Sequence, residues 1–259
     1  MKINYTAKIK QTIFLFLIIF HCINLSQSQN IIDSLLFIQK TAKADTNKVN
    51  ILNQIGTEYS NTGDYKNAAQ KFEEAVSLSQ DINFKKGILT SLKNIENIFL
   101  IQDNYPKALE NCEKILQIQN EMGDKNQISN TLNAIGYLYF NQGNYSKALE
   151  NYLQCLKISE EINDKQNIAS SLGNVANVYS QKGNYQEALK FYFQALKAIE
   201  VVGNKNALAG LLDGIGTVYG YQAGQQLNHD SLVNSYSKAL KYFLQSLKIR
   251  EESGGGEME

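Results

Sequence analysis

Four kinds of side chain return every forty residues, and that register restricts the fold more than any other property of the sequence. A small residue recurs as Gly56, Gly136, Ala176 and Gly216, with Glu96 the one exception. Three positions further on comes an aromatic: Tyr59, Phe99, Tyr139, Tyr179 and Tyr219. A tyrosine opens a second segment at Tyr65, Tyr105, Tyr145, Tyr185 and Tyr236, and an alanine follows it at Ala68, Ala108, Ala148, Ala188 and Ala239. Short units that share a register cannot each bury an apolar face alone, so they must stack on their neighbours.

The stretch 130–158 shows what one unit is. Leu132, Ile135, Gly136 and Tyr139 fall at i, i+3, i+4 and i+7, one stripe of a helix. Gly143 then stands where a helix commonly ends, because it takes positive φ without steric cost. Asn144 follows as an N-cap. The stripe resumes with Tyr145, Ala148, Leu149, Tyr152, Cys155 and Leu156. So short a turn predicts two antiparallel helices in contact. A glycine inside a helix costs roughly 0.8–1 kcal/mol relative to alanine. Gly136 therefore predicts close packing, with Ala148 as its small partner and Tyr139 and Tyr152 wedged around the pair.

Residues 1–28 read as a secretory signal peptide. Lys2, Lys8 and Lys10 make a basic start, Ile13 to Phe20 is an unbroken apolar run, and Ser26, Gln27 and Ser28 offer a cleavage site, expected after Ser28. A membrane span needs ~20 apolar residues, and His21, Cys22 and Asn24 interrupt this run. An uncleaved anchor is the alternative, and a lipid anchor through Cys22 is disfavoured by bulky His21 before it. The whole chain carries 25 basic and 25 acidic residues; without the three leader lysines the balance is 22 to 25, or −3. Nothing there suggests a nucleic-acid partner or an anionic membrane surface.

Residues 29–48 read as an N-terminal capping helix, and five units follow at 49–88, 89–128, 129–168, 169–208 and 209–252. The second is the most degenerate: Glu96 replaces the small residue, Cys112 the second-helix aromatic, and Pro106 sits in a first helical turn, where proline is tolerated. In the fifth, Tyr219 to Tyr236 spans 17 residues where Tyr139 to Tyr145 spans six. The added residues, near 220–235 and containing His229, are expected as a rim loop. Residues 253–259 are expected as a disordered tail, leaving the last apolar face exposed.

These rows resemble the tetratricopeptide repeat family over about residues 49–252. Forty rather than the usual 34 residues resembles the longer-period subclass of kinesin light chains and cell-polarity scaffolds. The chain is also similar to exported sensor halves of bacterial histidine kinases, cyclases and transcription regulators. The resemblance implies an all-α fold, a right-handed α-solenoid of about five antiparallel helix pairs, whose first helices line a concave peptide-binding groove. It implies no catalysis. Some family members grip a C-terminal carboxylate with paired cations. Lys93 and Asn97 match the first pair, but Ala134, Ser170 and Asn174 stand where the rest should be, so such a clamp is not expected.

Helix phase places Asn53, Thr57, Lys93, Asn97, Asn133, Tyr137, Asn174, Asn177, Asp213 and Thr217 opposite the packed stripe. This candidate peptide-binding groove is nearly neutral and rich in amides, which both donate and accept and so suit an extended peptide backbone. The plainer alternative is a set of solvated polar faces in an asparagine-rich chain.

No catalytic or metal residues are singled out. Gly214, Ile215 and Gly216 begin like a dinucleotide fingerprint, but Tyr219 occupies the third glycine's place and no strand precedes it. His229, the one histidine after the leader, has no nucleophile motif near it. With Cys112 and Cys155 it cannot make a recognisable zinc site. The two cysteines read as small apolar core residues, with a disulfide as the alternative that export would permit. The expected protein is a non-enzymatic scaffold without metal or cofactor, exported to the periplasm, holding a protein or extended peptide in its groove. It would touch a membrane only if the N-terminal segment stayed uncleaved. The alternative is a sensory input module whose output domain lies beyond this sequence or on a partner.

Overall fold

The computed structural model describes residues 27–254, and every regular element among them is a helix. In chain order these are α1 (27–41), α2 (Thr46–Asn61), α3 (Tyr65–Asp81), α4 (Lys85–Ile101), α5 (Tyr105–Met122), α6 (Lys125–Asn141), α7 (Tyr145–Glu161), α8 (Lys165–Gln181), α9 (Tyr185–Val202), α10 (Lys205–Gly224) and α11 (His229–Gly254). The all-α class is borne out. The helices form two compact units, the first ending at Ile118 and the second beginning at Gln119, so the chain passes between them within α5.

From α2 to α10, each helix stops and the next restarts through the same short device, with one residue at positive φ. At the α6–α7 turn, Gln142 N–H returns to Leu138 O at 3.2 Å and Asn144 N–H to Tyr139 O at 2.9 Å. Gly143 between them holds φ at 73°, a left-handed conformation that costs glycine nothing. Asn144 Oδ1 then accepts from Lys147 N–H, as an N-cap should. Asp64, Asp124 and Asp164 cap their helices in the same way.

In the first unit, α3 packs on both α2 and α4. Its core joins Ala68 and Phe72 of α3 to Leu92, Ile95 and Ile98 of α4 and Ile115 of α5. In the second unit α6–α7, α8–α9 and α10–α11 are antiparallel pairs; α7 also packs on α8 and α9 on α10, while α6, α8 and α10 lie side by side. Tyr152 with Val175 and Val178, and Tyr192 with Ile215 and Val218, form the cores between successive pairs.

The small-residue row is explained by rings. A Cβ on Gly136 would lie 2.6 Å from the Tyr152 ring, one on Gly56 2.5 Å from Phe72, and one on Gly216 2.9 Å from Phe243. The partner of Gly136 is therefore the second-helix aromatic, a correction to the expected pairing with Ala148, which is itself fully buried. Cys112 and Cys155 are buried free thiols.

Three expectations meet the structure differently. The added residues of the fifth unit are mostly helix: α10 runs on to Gly224 and α11 begins at His229, leaving only 225–228 between them. The cause is local. Ala223 is fully buried, Tyr221 stacks on Tyr185 at 6.1 Å, and Asn228 caps α11 through Asp230 N–H at 2.8 Å. Ser253 and Gly254 of the expected tail belong to α11; the rest of the tail lies outside the described residues, as does the leader apart from Gln27 and Ser28, which open α1. None of the described helices is long and apolar enough to cross a membrane.

Candidate functional site

Of the ten groove residues, six lie in the second unit, and three of these, Asn133, Asn174 and Asn177, line one cleft. A cleft of about 370 Å3 opens over α8, bounded by Asn133 of α6, Asn174 and Asn177 of α8, and Ala207 and Leu211 of α10. Its wall includes Gly173, Gly210 and Gly214. A Cβ on Gly210 would meet nothing within 4 Å, so its surface is bare backbone. These glycines, which lie outside the forty-residue small row, thus produce a shallow trough that a main chain could approach closely.

The amides at its edge are pre-oriented. Asn174 Nδ2 donates to Asn133 Oδ1 at 2.7 Å. The pair keeps one NH2 group, on Asn133, and one carbonyl, on Asn174, for further bonding, the complement of a peptide's C=O and N–H. Asn177 is exposed, and its Oδ1 accepts from the Tyr192 hydroxyl. Burial pushes that phenol up to about 12, so it remains a donor at neutral pH and holds the amide in one orientation. Asp213 is neutralised by Arg250 of α11 at 2.6 Å. Thr217 turns its hydroxyl back to Asp213 O in its own helix, and Tyr137 presents a half-exposed ring.

The four residues in the first unit behave differently. Asn53, read from the sequence as open face, is 8% exposed. Its Nδ2 donates to Val49 O, and its Oδ1 accepts from Ser91 Oγ at 3.0 Å and Asn94 Nδ2 at 3.4 Å. It is a bridge between α2 and α4, because neighbouring first helices there bring a serine and an asparagine against it. Thr57, Lys93 and Asn97 are exposed, and Thr57 Oγ1 donates to Asn53 O.

The sequence reading did not single out the glycine wall or Tyr192. The signal was present in part: Gly173, Gly210 and Gly214 are helix-interior glycines that a packing argument has to explain, and Gly214 is explained by the Tyr192 ring 2.5 Å from where its Cβ would be. Among the described residues no group of three or more His, Cys, Asp or Glu side chains could hold a metal ion.

Stacked helix pairs with a polar, backbone-lined trough define a helical-repeat scaffold for protein interaction. Models of the tetratricopeptide repeat match residues 49–82, 87–161 and 171–201. The chain belongs to the tetratricopeptide repeat family, whose fold is generally a non-catalytic one. No curated protein matches it by sequence. Among solved structures, BtubC from P. vanneervenii is similar with a TM-score of 0.70 at 15% identity, over 91% of this chain and 92% of that one. A Signal Transduction ATPase with Numerous Domains with a tetratricopeptide repeat sensor, from Pyrococcus horikoshii, gives 0.67 at 17% identity, over 88% of this chain and 38% of that one. A Rap protein complexed with Competence and Sporulation Factor gives 0.57 at 14% identity, over 87% of this chain and 71% of that one. At such identities the likeness is one of fold.

Proposed function

We propose that this protein is a non-enzymatic scaffold, exported to the periplasm, that holds an extended peptide segment of a partner protein in the trough over α8. The observation that carries this reading is the Asn133–Asn174 amide pair beside bare glycine backbone. Side-chain amides that retain one donor and one acceptor bond a peptide main chain without regard to its sequence, and shape supplies the selection. With Asp213 already paired, recognition there has little salt dependence.

The test is a peptide library displayed on phage and panned against the chain. Selected peptides should bind Asn133→Ala/Asn174→Ala at least about tenfold more weakly, which corresponds to losing one or two hydrogen bonds, while the thermal melt stays nearly unchanged. Equal affinity for the double variant would remove the trough from the account. Export is tested separately: periplasmic material should have the mass expected after cleavage following Ser28, and retention of the leader in the cytoplasm overturns it.

A second reading, a sensory input module acting through an output domain outside this sequence, is favoured by the shared fold with a protein whose repeats are described as a sensor. A stop codon directly after Glu259 with no regulator gene adjoining would dispose of it.

A further inference from the structure

In two helix pairs of the second unit, α8–α9 and α10–α11, stacked rings seal the first helix to the second. Phe191 of α9 lies flat on Tyr179 of α8, with centroids 5.4 Å apart and planes 7° from parallel. Tyr242 of α11 lies on Tyr219 of α10 in the same way, at 5.8 Å and 9°. The lower ring in each case belongs to the first-helix aromatic row that includes Phe99 of α4. The corresponding second-helix position in α5 is Asn111, one residue before Cys112 as Phe191 is one before Tyr192. Asn111 supplies no ring. It is 4% exposed and its Nδ2 donates to Leu92 O at 2.6 Å. Asn151 takes the position in α7, but is half-buried and bonds Lys147 O of its own helix.

Beside Asn111 is a cleft of about 610 Å3 between α3 and α5, floored by Ile88, Leu92, Ile95 and Phe99 of α4. Its volume lies within the usual range of roughly 300–1,000 Å3 for ligand sites. The mouth is charged on both sides. Glu73 stands on the α3 wall; on the α5 wall are Lys107, whose Nζ sits 5.7 Å above the Phe99 ring, and Lys114, paired with Glu110 at 2.8 Å.

We propose that this cleft is a docking site for an aromatic side chain of a partner protein, which takes the place over Phe99 that Phe191 and Tyr242 take over their own first helices. The occupant is a short segment with one Phe, Tyr or Trp, flanked by an acidic residue toward Lys107 and a basic residue toward Glu73. Offset stacking on Phe99 and burial against Leu92 and Ile95 supply the attraction, and the two rim charges set the direction of the segment. The site is separate from the trough over α8 and stands or falls independently of it.

The test uses the full chain with labelled Ile and Leu methyl groups and three probes: a capped alanine pentapeptide with a central Phe, the same peptide with Ala there, and free indole. The Phe peptide should shift the methyl resonances of Leu92 and Ile95, and the all-alanine peptide should not. Asn111→Phe fills the place from within and should abolish the shift; Phe99→Leu, which keeps the floor apolar but removes the ring, should weaken it by about fivefold. Should Asn111→Phe fail to fold, Phe99→Leu decides alone. Equal binding by the folded variants, equal shifts from both peptides, or binding of indole without binding of the Phe peptide would each overturn the proposal.

Discussion

The helix pairs α4–α5 and α6–α7 solve one packing problem in opposite ways. In α6–α7 a glycine accepts a ring: Gly136 lies under Tyr152, which is 2% exposed. In α4–α5 both members of the pair change, and Glu96 takes the glycine's place while Cys112 takes the ring's. Cys112 Sγ lies 3.1 Å from Glu96 Oε1, and the thiol itself is fully buried. Removing the ring opens the room the carboxylate side chain occupies, so each substitution is tolerable only with the other. The lesson is that the register is kept by pair volume, not by residue type.

The sharpest way to break this comparison is to transplant one half of it. Tyr152→Cys should lower stability by about 3–4 kcal/mol, since a buried ring leaves a cavity behind. Gly136→Glu alone should cost about 1–3 kcal/mol from overpacking, or more because the added carboxylate is desolvated. The double variant should cost clearly less than the two losses added, by about 1 kcal/mol or more. Denaturant melts of all four proteins measure this; strict additivity would show that the two positions do not share one space.

A smaller effect separates Asn53 from Asn133, which occupy the same row of the repeat. Asn53→Ala removes the acceptor for Ser91 and Asn94 and should cost about 1–2 kcal/mol. Asn133→Ala, at the edge of an open trough, should stay within about 0.5 kcal/mol. Equal losses in chemical denaturation would mean that burial does not distinguish the two.

The smallest effect concerns pH. Burial pushes the Glu96 carboxyl above the usual carboxylate range, opposed by its contact with Cys112 and by Lys93. The folded chain therefore holds this proton more tightly than the unfolded chain does. The stabilisation is complete below the ordinary carboxylate value and is lost as pH rises through the raised one. Glu96→Gln should flatten the melting temperature against pH across that interval relative to the parent. Parallel profiles would show that the carboxyl is not desolvated in solution.

Much of the fold was legible because it is local. Periodicity marked the helices, Gly143 and Asn144 marked a turn whose φ and cap bond follow from their side chains, and the small row announced close packing. The added residues of the fifth unit are helical where a loop is expected, because an insertion in a repeat says where residues are added and not what they contact. Ala223 and Tyr221 find burial and a stacking partner, and helix follows.

By itself, the sequence determined a stack of helix pairs in forty-residue register, since helix phase and turn chemistry depend on residues within a few positions of each other. Only the tertiary structure decided which polar groups are already used. Asn53 is consumed between α2 and α4 while Asn133 and Asn174 keep a donor and an acceptor, and Asn111 leaves a place above Phe99 that Phe191 fills above Tyr179. A hydrogen bond or a stacked ring depends on what a neighbour some forty or fewer residues away presents at that spot, and no period in the chain encodes that.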